Sequence, residues 1–453
     1  MTMEHRSLVK EGSKMESREE SEVSKPKWRD KKAAETLIGL IEGLRIKPDS
    51  SASGRSIYVL KGGQVQFYDA SRIRDYFALL REYVKFNEEV PFPLRENFIS
   101  EAIAKAGAQG ELIAKQISDF IRHQEKEYLS QDRSFYTLAS KITLVGLEST
   151  RTFSTGNATI KIRKDLPRKI AKHYDFDQAK SASPDHEGAD FAWVLVEVKE
   201  RCIYSAAATA LKELDYWIAL LNITLNHNLS RESFGRPEPI NRLRKHHYHS
   251  LHLPSGEKAT RDYWYEVRHP SNGNVLFYDD SLKDLFAHQR KLHKLIIKCG
   301  QKNFFSKIFS RYCDALETND LNKSFLELWG VLEAITQTKN SSYETTIQRA
   351  KFIYAENSME MVDLKLRVLR EKRNMVIHDG EGILDGERFI FILLAIIHEN
   401  IRIQMAFYNK GYTPSDYLRL VELPALKNDA RQMESDLLEK KNDLKMYFKV
   451  KLK

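Results

Sequence analysis

Between about Ser281 and Phe407 the apolar residues recur at three- and four-residue spacing, and the connections are only a few residues long. Leu285, Leu292 and Ile296 mark one helix, and Phe304–Leu316 a second. Phe325, Leu328, Trp329, Leu332 and Ile335 mark a third, with Asp320 placed as its N-cap. A shorter helix is expected over Thr345–Ala355, a fifth over Glu360–Ile377 and a sixth over Arg388–Phe407. Helices this close in sequence can bury their apolar stripes only against one another. The pattern therefore predicts an all-α antiparallel bundle over residues 281–412.

The chain before the bundle reads differently. Residues 1–30 are rich in Lys, Glu, Ser and Arg with almost nothing apolar to bury, a composition that predicts a disordered charged tail. Over 31–132 a helix at Ala33–Leu44 precedes a hairpin, Ser56-Ile-Tyr-Val-Leu60 and Gln64-Val-Gln-Phe-Tyr68 around Lys61-Gly-Gly63. Helices over Ser71–Asn87 and Leu94–Leu129 follow. Residues 133–280 carry strand patterns at Phe135–Val145, Ala158–Ile162 and Phe191–Val198, then an alanine-rich helix over Ile203–Leu225. Beyond Pro414 a charged, solvent-exposed helix is expected within 413–453. The fold class expected is α+β: a mixed N-terminal region with short sheets and helices, followed by the helical bundle.

The 72 Lys and Arg exceed the 63 Asp and Glu, a net charge of +9 that suits a polyanionic partner without demanding one. The three cysteines, Cys202, Cys299 and Cys313, have no C-x-x-C spacing, which points to a reducing compartment and away from a disulfide framework or zinc knuckle. No apolar leader is seen, and the longest apolar run, Phe389–Ile397, is too short to span a bilayer. A cytoplasmic protein with no membrane association is expected. No cofactor or metal is expected either.

One stretch of the bundle carries chemistry. In Arg370-Glu-Lys-Arg373-Asn374-Met-Val-Ile-His378-Asp-Gly380, Arg373 interrupts the apolar stripe of Val362, Leu366, Leu369 and Val376. A guanidinium on the inner face of a helix needs a counter-charge or an anion. Asn374 and His378 are four apart and share a face, and Gly380 suits a C-cap. A fixed cation, an amide and an imidazole that titrates near neutrality form a set suited to phosphate chemistry. Glu333 is expected to pair with Arg373 and aim it, and Arg370, one turn earlier, to widen the anion site.

A second basic stretch, Arg242-Leu-Arg244-Lys245-His246-His247-Tyr-His249-Ser-Leu-His252, is read as a nucleic-acid-binding surface through Arg242, Arg244 and Lys245. Aromatics at Tyr248, Tyr263, Trp264 and Tyr265 are interleaved with it for base stacking or for core packing. Four imidazoles without Cys or carboxylate at helical spacing make a poor metal site. The spacing Arg-x4-His also occurs at Arg168 with His173, Arg242 with His247 and Arg244 with His249, so spacing alone selects nothing.

The bundle motifs are Arg311-Tyr-x-x-Ala-Leu316, Phe325-Leu-Glu-Leu-Trp329-Gly-Val-Leu-Glu333-Ala and Leu369-Arg-Glu-Lys-Arg-Asn-Met-Val-Ile-His-Asp-Gly380. With them, residues 281–412 resemble the HEPN family, and more closely its ApeA-like subgroup of bacterial anti-phage defence proteins. The resemblance implies metal-independent RNA cleavage at a site shared by two HEPN domains, with Arg373, Asn374 and His378 as the active-site positions. It further implies a homodimer through the bundle, RNA (tRNA among the candidates) as substrate and a phage-derived trigger, with abortive infection as the outcome. The competing expectation is a non-catalytic HEPN protein that binds nucleic acid or nucleotide, or serves dimerisation. The side chains support the first reading. Attack by a 2′-hydroxyl needs a proton acceptor, a proton donor and a cation for the phosphorane. One chain supplies one imidazole, and two chains supply two.

Overall fold

The structure is a computed structural model. It describes residues 28–46, 57–60, 65–110, 112–182, 191–226, 239–266, 276–277, 280–338, 341–379, 386–423 and 427–451. The expected tail at 1–27, the hairpin turn Lys61-Gly-Gly63 and the Gly380 cap lie outside these residues. The fold is mixed α and β, with helix predominating. The chain divides into two compact units, one of residues 1–134 with 200–208 and one of 135–199 with 209–453.

The first unit contains α1 (Lys31–Gly43), the antiparallel pair β1 (Ile57–Val59) and β2 (Gln66–Tyr68), α2 (Ala70–Tyr83), α3 (Phe92–Gln109) and α4 (Ala114–Ser130). Asp30 caps α1 by accepting from the Ala33 amide at 3.1 Å, and Asp69 caps α2 through the Arg72 amide. The single helix expected over Leu94–Leu129 is two. Gly110 ends α3 at φ 135°, a conformation that a side chain would strain. The apolar faces of all four helices close over Val65 and Phe67 to form this unit's core.

The second unit is built on a six-stranded sheet in the order β5-β6-β7-β3-β8-β9. Its strands are β3 (Ser134–Ile142), β5 (Arg151–Ser154), β6 (Ala158–Arg163), β7 (Ala192–Glu200), β8 (Tyr248–His252) and β9 (Trp264–Tyr265). A separate parallel pair joins β4 (Leu144–Val145) to β10 (Leu276–Phe277). Strand β7 is buried on both sides, as its continuous apolar run requires. Trp193 and Leu195 pack with Tyr248 and Ala139 beneath the short helices α5 (Arg168–Ala171) and α6 (Phe176–Ala182). On the other side Val194 and Val196 stand in register with Ile162 and Ile160.

The long helix α7 (Ile203–Asn226) brings Trp217 to within 5.3 Å of Phe153, ring centre to ring centre. Helices α8 (Asp280–Lys298), α9 (Lys302–Leu316), α10 (Leu321–Ile335), α11 (Tyr343–Lys351) and α12 (Glu356–Asn374) follow. Then come α13 (Gly386–Asn409), α14 (Pro414–Val421) and α15 (Lys427–Lys451). The Asp320 N-cap is in place, accepting from the Lys323 amide at 3.0 Å. Among the described residues α13 is the one helix long and apolar enough to cross a bilayer, although its apolar run is short. A little over half of its most apolar window is buried, as in a core helix.

The sequence reading places a boundary at 280, and residues 135–199 and 209–412 on its two sides fall in the second unit. A buried polar seam ties them together. Asn226 donates to the Asn241 side chain at 2.8 Å and to the Tyr312 hydroxyl at 3.2 Å, and that hydroxyl meets His398 Nε2 at 2.9 Å. Lys302 reaches Glu213 at 2.8 Å and the Thr155 carbonyl at 2.9 Å. Buried polar groups are stable only with such partners, so these contacts hold the helices and the sheet in one register.

Candidate active site at the end of helix α12

Helix α12 buries Met359, Val362, Leu366 and Leu369. Its final turn is widened to a π-turn over Met375–Asp379, an irregularity frequent at functional sites. Helix α11 is laced to α12 by charge: Lys351 to Asp363 at 2.6 Å, Arg367 to Asp363 at 2.6 Å and to Glu344 at 3.0 Å. Hydrogen bonds from Gln348 and Arg367 hold the Glu344 carboxyl below the usual range, so it stays ionised as their partner. Ser342 caps α11 and fixes the first residue, Tyr343, beside the last turns of α12.

Arg373 is half-buried there, its guanidinium 4.6 Å from the centre of the Tyr343 ring. One nitrogen lies 3.5 Å from the Asn374 side-chain oxygen, a long contact. Tyr343 in turn meets the edge of the buried Trp329 at 6.2 Å. A cation on an aromatic face keeps its charge and most of its N–H donors. Among the described residues no carboxylate pairs with Arg373.

The expected pairing of Glu333 with Arg373 is corrected. Glu333 instead accepts from the Trp329 indole at 2.9 Å, one helical turn away on the same helix. Arg370 is also placed differently from expectation, because Glu371 at 2.6 Å and Glu344 at 3.8 Å neutralise it. Asn374 contacts Arg373 rather than His378. His378 is exposed and has no hydrogen-bond partner among the described residues. Tyr343 is the site residue that the sequence did not reveal. Neither its spacing nor its type marks an aromatic as the platform for an arginine thirty positions on.

The outer side of α12 carries a second apolar stripe. Met361, Leu364 and Val368, at i, i+3 and i+7, are each about half exposed. Arg373 lies around the helix from this stripe, on the side of Val362 and Leu366.

Of the nucleic-acid surface expected at Arg242, Arg244 and Lys245, the part at Arg244 and Lys245 is corrected, because both are buried. Arg244 and Lys245 are 1% and 2% exposed, and Arg242 is partly covered. The amide and carbonyl of Arg244 bond to Thr143, and Lys245 is clasped by Asp215 and Glu266, both at 2.6 Å. Of the histidines that follow, His249 and His252 belong to β8, and His246 and His247 precede it. His249 meets Ser140 at 2.7 Å, and His252 meets Ser250 at 2.9 Å and the Gly256 carbonyl at 3.0 Å. Burial holds the His252 imidazole below its ordinary pKa. Among the described residues no three His, Cys, Asp or Glu side chains stand together as a metal site.

Comparison with protein-family models, with curated proteins and with solved structures gives no match for this chain.

Proposed function

We propose that the protein is a metal-independent endoribonuclease of HEPN type, acting through Arg373, Asn374 and His378. The observation that carries the reading is Arg373 itself: a guanidinium held on the Tyr343 ring with no carboxylate partner among the described residues, at the widened end of a helix that also carries an exposed imidazole. In this reading Arg373 grips non-bridging phosphate oxygens and stabilises the phosphorane. His378 takes the proton of the 2′-hydroxyl or gives one to the departing 5′-oxygen. Asn374 holds Arg373 to its line of approach. One imidazole cannot be acceptor and donor in the same step, so the working unit is a homodimer that contributes two. The apolar stripe of Met361, Leu364 and Val368 supports an association through this helix. By the same resemblance the RNA is host or phage RNA, tRNA among the candidates, and cleavage follows a phage-derived trigger in anti-phage defence.

The test is RNA cleavage in excess EDTA by the wild type and by Arg373→Ala, Arg373→Lys and His378→Ala. The expected losses are about 10²–10³-fold for Arg373→Ala and about 10²–10⁴-fold for His378→Ala, with partial retention in Arg373→Lys. Undiminished cleavage by both alanine variants, or its abolition by EDTA, contradicts the proposal. Tight RNA binding by a dimer without turnover supports the non-catalytic alternative.

A further inference from the structure

The outer face of α8 carries a strip of four exposed cations with no counter-charge among the described residues. Arg290, Lys291, Lys294 and Lys298 are all exposed and fall within about a third of the helix circumference. Arg290 lies 6.0 Å from the Phe153 ring, and none of the four has an ion pair among the described residues. Asp284, near the start of the helix, is the one carboxylate among its described side chains.

Several other cations of this unit are paired: Lys245, Lys302, Arg349, Lys351 and Arg367 each meet a carboxylate. Along α8 the pairs Arg290 with Lys294 and Lys294 with Lys298 stand at i, i+4, where like charges each cost a helix a few tenths of a kcal/mol. The macrodipole favours cations only in the last turn, so it accounts for Lys298 and not for the two turns before it. A face kept repulsive in this way is suited to an external polyanion. Leu282, Leu285, Phe286 and Ile296 of α8 are committed to the core, and Leu295 and Ile297 are its only exposed large apolar side chains among the described residues, too small an apolar face for the helix to lie in a bilayer.

We infer that Arg290, Lys291, Lys294 and Lys298 form a sequence-independent RNA-backbone docking strip that holds substrate by its phosphates. The choice of RNA among polyanions rests on the ribonuclease reading above. Such contacts position a nucleic acid and carry little base information.

The test measures binding of a short fluorescein-labelled single-stranded RNA to full-length protein in a His378→Ala background, so that turnover plays no part. Lys291→Gln/Lys294→Gln/Lys298→Gln is compared with Lys105→Gln/Lys115→Gln/Lys126→Gln, which removes the same charge from exposed sites in the first unit. The strip variant should lose about tenfold or more in affinity at moderate salt, and its log–log salt slope should flatten by about two, roughly 0.7 per lost cation. The control should bind as the parent does. Equal losses in both variants, unchanged binding in the strip variant, or no RNA binding by the parent overturns the inference. So does a strip variant that loses binding to anionic phospholipid vesicles but keeps RNA. If the strip variant loses RNA binding while the wild-type protein cleaves nothing, the strip stands and the ribonuclease reading falls.

Discussion

Two basic stretches of this chain, residues 242–252 and helix α8, look similar in composition and have opposite fates. The first, denser in Arg, Lys and His, is folded into the sheet, with Lys245 between two carboxylates and its histidines hydrogen-bonded inside. The second presents Arg290, Lys291, Lys294 and Lys298 at the surface, with no ion pair to any of the four among the described residues. Charge density in the sequence therefore says little about where a polyanion would bind. The decisive variables are whether carboxylates from distant parts of the chain arrive to pair with the cations, and whether the segment supplies a strand that the sheet needs.

The contrast can be broken at several points, beginning with the largest expected effect. Lys245→Met leaves Asp215 and Glu266 facing each other with no cation, and removing one member of a buried ion pair costs about 3–5 kcal/mol. Urea unfolding should register that loss. A Lys245→Met protein of parental stability would mean that the segment is not core. The buried imidazoles give a smaller, pH-dependent effect. His252 has a folded pKa below its ordinary value of 6.5 because burial disfavours the charged ring. Above about 6.5 this contribution to stability is complete. It is lost as pH falls from there through the folded pKa, because the unfolded chain binds the proton first. Unfolding midpoints at pH 7.5 and 5.5, roughly either side of that ordinary value, should fall more in the wild type than in His252→Asn.

Tyr343→Ala removes the aromatic face under Arg373, worth about 0.5–1 kcal/mol, and should lower RNA turnover, whereas Tyr343→Phe should keep both. Equal turnover in Tyr343→Ala and the wild type would separate the stacking from the chemistry. The smallest effect on stability belongs to α8. Lys291→Gln/Lys294→Gln/Lys298→Gln should change unfolding by no more than about 0.5 kcal/mol, in spite of its expected effect on RNA binding.

The helices from α8 to α13 were legible because three- and four-residue spacing survives any tertiary arrangement, and the Asp320 cap acts within its own turn. The break at Gly110 was missed because a lone glycine in a helical pattern is usually tolerated. Strand β8 was hidden because its alternation is written in Tyr, His and Ser, whose apolar and polar parts both find partners in the sheet. At the site, the sequence placed Arg373 on the inner side of α12 and named Asn374 and His378. It could not say what Arg373 touches. A Glu333 one residue off an apolar stripe suggests an ion pair, but the Trp329 indole four residues earlier is nearer and takes it. Partners of this kind depend on how helices cross, which local spacing does not encode.

The central claim is that Arg373 and His378 drive attack by the RNA 2′-hydroxyl. The most direct measurement is the chemistry of the ends produced by wild-type protein in EDTA, on an all-ribose oligonucleotide and on one with 2′-deoxy nucleotides at the cleaved position. The account predicts a 2′,3′-cyclic phosphate and a 5′-hydroxyl from the first, no cut at the substituted position of the second, and loss of the cyclic product in His378→Ala. Cleavage of the deoxy-substituted strand at the same position, or a cyclic product that persists in His378→Ala, would contradict it.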